Sequence, residues 1–166
     1  MVTISKRKIA HIIGDLNQGV SRLRYQGYLD ALRSNKIICP PEFIEQGNFT
    51  YQSGMEAAIK LLSLKSRPTA IFAANDDMAA AVISIAQKQG VTIPEELSVV
   101  GFDDTQLATI VWPNITTVRQ PINEMAELAI SLLASGEIEP ANNIKGQSKK
   151  HVLDFEIVCR DSTSFI

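Results

Sequence analysis

Two periodicities alternate along the chain. Short apolar runs stand at 9–13 (IAHII), 43–47 (FIEQG), 69–74 (TAIFAA), 97–102 (LSVVGF), 115–118 (ITTV) and 152–158 (VLDFEIV). Between them apolar residues recur every three or four positions, as on the buried face of a helix. The spacing predicts helices over 22–34, from about Ser53, over 76–89 and over 122–135. Leu23, Gly27, Tyr28, Ala31 and Leu32 offer the first of these an inner face, with Gly27 suited to close packing on a sheet. Ser53 and Glu56 have the spacing of a capping box at the start of the second, and Ala57, Ala58, Leu61 and Leu62 form its apolar stripe. Gly90 and Gly136 end the third and fourth helices as left-handed caps, and Pro121 suits the first turn of the fourth. A polar stretch, 137–150, interrupts the pattern before the last strand.

Repeated strand–helix units of this kind give an α/β fold in three layers, a mostly parallel sheet with helices on both faces. Such sheets bind ligands beyond the carboxyl ends of their strands, where strand order reverses. The edge so defined receives Asp15 after the first strand and Phe49 after the second. Asn75 and Asp76 follow the third, Asp103 and Asp104 the fourth, and Gln120 the fifth.

Composition narrows the functions available. The chain has 166 residues, 45% of them hydrophobic, enough for one core or for one domain with an appended piece. Its net charge of -2 and pI near 5.7 argue against gripping a phosphate backbone. The basic clusters 6–8 (KRK) and 149–150 (KK) are too short to change that. Cys39 and Cys159 lie far apart without metal-ligand spacing, so neither a metal nor another cofactor is expected, and the thiols read as free in a cytoplasmic protein. No apolar run approaches the roughly 20 residues that cross a bilayer, and the first residues are too short for a signal peptide.

Each edge residue also has a plainer reading. Asn75, Asp76 or Asp77 can cap the helix that follows, although three polar groups exceed what one cap requires. One carboxylate of the Asp103–Asp104 pair can cap the segment 105–110, or accept two adjacent sugar hydroxyls. Arg22 and Arg24 oppose the dipole of the helix they begin, which leaves a surface role beside a clamp on a ligand. Phe49 is either satellite core or a stacking platform. Trp112, the single tryptophan, reads as packing in preference to an interface anchor.

Taken together, KIAHIIG (8–14), RYQGYLDAL (24–32), PTAIFAANDDMAAA (68–81), LSVVGFDD (97–104) and NITTVRQP (114–121) resemble the ligand-binding core of the lactose/galactose repressor family of bacterial transcription regulators. The likeness runs from about residue 7 to 161. It implies the second lobe of a periplasmic-binding-protein-like fold, non-catalytic, with effector-binding residues at Arg24, Phe49, Asn75, Asp103 and Gln120. The implied effector is a sugar, a sugar phosphate or a related metabolite, a purine less so. The resemblance also implies a side-by-side homodimer using helix 76–89 and Thr105 to Trp112. By the same likeness residues 1–120 form the second lobe, 121–150 cross to a first lobe, and 151–166 return. That first lobe and a DNA-binding headpiece fall outside this chain, which then touches no nucleic acid or membrane itself. The rivals are a solute-binding protein of the same design, a structural assembly unit, and a Mg²⁺-dependent phosphoryl-transfer enzyme. The last lacks a phosphate-binding glycine loop and a lysine after the fourth or fifth strand.

Overall fold

The computed structural model describes residues 8–136 and 151–164, so the polar stretch 137–150 and most of the two basic clusters lie outside the described residues. Four strands, β1 (Ile9–Ile13), β2 (Ile44–Gln46), β3 (Ala70–Ala73) and β4 (Ser98–Val100), form a parallel sheet in the order β2-β1-β3-β4. Helix α1 (Gly19–Ser34) connects β1 to β2, α2 (Tyr51–Leu62) connects β2 to β3, and α3 (Asp76–Lys88) connects β3 to β4. The chain moves one way from β1 to β2 and then the other way to β3. Right-handed crossovers therefore put α1 on one face and α2 with α3 on the other.

The two faces are built differently. Ala10, Ile12, Ile71 and Ala73 point towards α2 and α3 and join Ala57, Leu61, Met78, Val82 and Ile83 in an aliphatic core. Gly54 lets the two helices touch: a Cβ on it would lie 2.6 Å from the Met78 Cα. Beneath α1 the packing is aromatic instead. His11 stacks on Phe72 at 4.7 Å between ring centroids and also meets Tyr25 and Tyr28. The buried residues of α1 are Ser21, Tyr28 and Leu32. Leu23, Gly27 and Ala31 are exposed, and nothing stands within 4 Å of a Cβ on Gly27. That corrects the expected inner face: 23, 27 and 31 form one stripe, and 21, 25, 28 and 32 form the opposite one.

Past β4 the chain extends the sheet. The short helix α4 (Leu107–Ile110) leads to β5 (Thr117–Arg119), which runs beside β4 through bridges at Val100–Thr116 and Asp103–Arg119. β5 pairs antiparallel with β6 (Glu156–Val158). Ser162, fully buried, ties the tail back by donating to Val99 O and accepting from Thr116 N. Between β5 and β6 lies α5 (Ile122–Ser135), closed by Gly136 at φ 70°, with Pro121 one place earlier than expected, in the cap position. None of the α5 residues is buried.

Two other expectations are corrected. Thr50, not Ser53, caps α2, its hydroxyl accepting from Ser53 N at 3.2 Å. The Ser53 hydroxyl instead donates to Thr50 O and accepts from Asn48 N. Trp112 is 69% exposed, so it is not packing for this chain's own core. No helix among the described residues is long and apolar enough to cross a membrane.

Candidate functional site

Strand order reverses between β1 and β3, and the crevice at that reversal is where such sheets place ligands. Arg24 reaches into it from the second turn of α1. Its Nη1 donates to Ala74 O at 2.6 Å, at the end of β3, and its Nη2 donates to Asp103 Oδ1 at 3.2 Å. Gln120 Nε2 donates to the same oxygen at 2.7 Å. The guanidinium lies 3.8 Å from the Phe102 ring centroid and 5.9 Å from that of Phe49. One arginine is thus held by a carbonyl, a carboxylate and an aromatic face, with its plane fixed.

The backbone around it is shaped for the purpose. Phe49, Asp103 and Asp104 all have positive φ, at 68°, 106° and 53°. Side chains rarely adopt that region, and strain of this kind gathers at binding sites. Gly14 admits the Phe49 ring over the end of β1, where any Cβ would collide with it. Asn75 secures the same loop by donating to Phe49 O at 2.9 Å, while its carbonyl accepts from Met78 N to cap α3. The structure therefore brings Arg24, Phe49, Asp103 and Gln120 into one crevice, with Asn75 beneath Phe49 as cap and brace.

The remaining edge acids serve the frame. Asp76 is buried, accepting from the Thr117 hydroxyl at 2.6 Å and Thr105 N at 2.7 Å; Gly101 leaves the space its carboxylate occupies. Burial pushes its pKa up against those hydrogen bonds. Asp104 receives Arg160 Nη2 and Arg119 Nε at 2.6 Å each. Burial works against its charge, but the two guanidiniums hold it below the usual carboxylate range. Asp15 closes a local turn on Asn17 N, and Arg22 donates to Leu16 O. Burial also raises Asp103 and lowers Arg24, each partly offset by the other's charge. Both charges therefore sit in a partly dry crevice. Among the described residues, no group of three His, Cys, Asp or Glu stands together as metal ligands.

A family model described as a periplasmic binding protein-like domain matches residues 5–163. The chain belongs to that family. Within it, the chain matches regulators of the LacI/GalR type, and the match is to their C-terminal part. The chain is 36% identical to the HTH-type transcriptional repressor CytR of Escherichia coli K12 over 95% of its own length and 45% of that protein. It is 35% identical to the ribose operon repressor of Haemophilus influenzae, over 87% of this chain and 44% of that one. Among solved structures it superposes on the transcriptional regulator CelR in its cellobiose complex with a TM-score of 0.81 at 31% identity, covering 95% of this chain and 47% of that one. On the lac repressor dimer bound to operator and anti-inducer the TM-score is 0.83 at 26% identity, over 96% and 54%. The chain thus spans about half the length of the regulators it matches.

Phe102 was absent from the residues singled out in the sequence. Its place at the end of β4, in GFDD, put it beside Asp103, but an aromatic in an apolar run reads as core. Only the position of Arg24 shows that its ring is a platform.

Proposed function

We propose that this chain is the effector-binding and dimer-forming part of a cytoplasmic transcription regulator, non-catalytic, with a sugar or related small metabolite as effector. The observation that carries this reading is the convergence of Arg24, Asp103 and Gln120 on one point at the strand-order reversal. A fork of donors beside a carboxylate matches paired hydroxyls, and Phe49 offers a face to a ring. Asn75 acts mainly by holding Phe49. Its relatives' names, repressors and a sugar complex, fit the same reading.

Residues 1–120 form the lobe with this half-site, and 121–150 cross to a further lobe before 151–166 return. Support comes from a groove of about 610 Å³ between α5 and the sheet, lined by Met125, Leu128, Ala129 and Leu132 against Phe102 and Val152. Effector binding between two lobes shifts a population of open and closed forms, and paired DNA-binding heads would read that shift. For the dimer, Trp112 and Ile110 are 69% and 66% exposed in one segment. Helix α3 is buried in its own chain apart from Asp77, Ser84 and its last turn, so its share of a dimer face is small.

One experiment tests both parts. The 166-residue chain, Asp103→Ala and Trp112→Asp are titrated with pentoses, hexoses, disaccharides and purines at millimolar levels, reading melting temperature and sedimentation. A melting shift for one class, absent in Asp103→Ala, and a dimer lost in Trp112→Asp are the expected results. A shift that survives Asp103→Ala puts the site elsewhere, and a wild-type monomer at every concentration removes the dimer.

A further inference from the structure

Helix α1 turns Ser21, Tyr28 and Leu32 to the sheet and leaves Val20, Leu23, Gly27 and Ala31 exposed on another side. At 100° per residue these four lie within about 80° of one another, so they form one stripe. Val20 is 48% and Leu23 75% exposed, which is unusual for neighbouring branched side chains on a helix. Gly27 sharpens the point. Glycine inside a helix weakens it, and is retained where a special backbone angle or a close neighbour demands it. Neither applies within this chain: its φ is not positive, and a Cβ on it would meet nothing within 4 Å. A neighbour outside the chain is the remaining physical use for that gap.

A polar row runs beside the stripe. Arg22, exposed, donates from Nη1 to Leu16 O. Asp30 accepts from Gln26 and Arg33, and among the described residues both bonds fall on its Oδ1. Arg22 Nη2 and Asp30 Oδ2 are thus left for an outside partner. The two rows fit a copy of themselves. Consider two antiparallel α1 helices related by a two-fold axis at Gln26. Each Arg22 then stands across from Asp30 of the other copy, twice by symmetry. In the same register each Leu23 falls between Gly27 and Ala31 of the other copy, a large side chain into the gap above two small ones. The surface lies away from Trp112, whose carbonyl accepts from Gln87 of α3 on the opposite side of the sheet.

We propose that α1 is a second self-association surface, on which two copies of this chain pair antiparallel through Leu23, Gly27 and Ala31, with reciprocal Arg22–Asp30 ion pairs setting the register. The proposal does not depend on the effector reading. The stripe is about 17 Å long at 1.5 Å per residue. One helix face of that length falls short of the roughly 800 Å² per partner of a standard interface, so the contact is weak and reversible.

The test uses the 166-residue chain carrying Trp112→Asp, which disables the other face, in sedimentation velocity up to about 0.5 mM, the range of a contact this small. That chain should form dimers at the upper concentrations. Leu23→Asp, at an exposed position, should abolish them without changing the melt. Arg22→Asp sets two carboxylates against each other in the paired helices, and Asp30→Arg sets two guanidiniums. Each variant alone should associate about tenfold more weakly. Mixed in equal amounts they again present aspartate to arginine at both ends. The mixture should therefore regain association, as a heterodimer that weakens with salt. Recovery on mixing reads the pairing itself, since a change in the fold of either variant would persist in the mixture. A chain that stays monomeric throughout overturns the proposal. Dimers that survive Leu23→Asp put the contact elsewhere and overturn it too, as does a mixture that associates no better than its components.

Discussion

Helices α3 and α5 are close in length and kind, rich in alanine with two isoleucines and one methionine each, and they end in opposite situations. In α3 Met78, Ala79, Ala80, Ala81, Val82, Ile83, Ile85 and Ala86 are all buried. In α5 nothing is, and Ile122, Met125, Ile130 and Leu133 are between 47% and 65% exposed. Amphipathic periodicity says which face of a helix wants cover; it does not say what supplies it. α3 finds α2 on one side and β3 with β4 on the other, and Gly54 and Gly101 are open enough to let it approach both. α5 leaves the sheet after β5 and faces Phe102, Val118 and the segment 151–155 across an open groove.

The same substitution in the two helices measures the difference. Ile83→Ala deletes a side chain 2% exposed in the aliphatic core. It should cost about 3 kcal/mol, from lost transfer energy and the cavity left behind, read as a lower denaturation midpoint with unchanged slope. A loss under about 1 kcal/mol would mean that the α2–α3 core collapses around the gap and is less tightly built than its burial indicates.

The next effect also belongs to the packed side. His11 is fully buried, its Nδ1 bonded to Phe72 O at 2.8 Å and its Nε2 without a partner among the described residues. Burial lowers its pKa from 6.5 to about 4, with the charge of Arg24 adding to this and the Phe72 bond opposing it. The folded state thus holds the ring neutral while the unfolded chain protonates it sooner. The stability this contributes is present above pH 6.5 and is lost as pH falls through about 4. The full loss is about 3 kcal/mol, at 1.4 kcal/mol per unit. Asp76 and Asp103, whose pKa values burial raises, act oppositely: their cost fades as acid protonates them. The decline should therefore be clearest just below pH 6.5. In His11→Phe, which keeps a ring against Phe72, that slope between pH 6.5 and 5 should flatten. An unchanged slope would assign the acid response to another group.

These cases show what could be read from residues alone. The strands and the edge positions, Asp103 and Gln120 among them, follow from the short apolar runs. Arg24 and the choice of Asp103 over Asp104 come from the family resemblance, and the order of the strands is a property of the folded sheet. The inner face of α1 was not legible, because its stripe contains Ser21 and Tyr25 over a buried histidine, while Leu23 and Ala31 face solvent. Hydrophobicity ranks those residues in the wrong order. Asp76 beside Asp77 gave no sign of being the buried one, since its shelter comes from Gly101 and Thr117, far along the chain. Trp112 read as packing because a single tryptophan usually is. The cap at Thr50 lay three residues from a Ser–Glu spacing that imitated it.

The smallest effect is the sharpest test of the contrast. Ile130→Ala removes from α5 the same side chain that Ile83→Ala removes from α3, but here it is 65% exposed. The only stability it can lose is the small part already covered, and alanine is the better helix former. The expected change in the melt of this chain is within about 0.5 kcal/mol of zero. In a protein whose further lobe covered the outer face of α5, away from the groove, the same substitution would become a core deletion and cost several times more. A large loss in this chain alone would show that α5 is already covered, by a second copy if the loss grows with protein concentration and by its own chain if it does not.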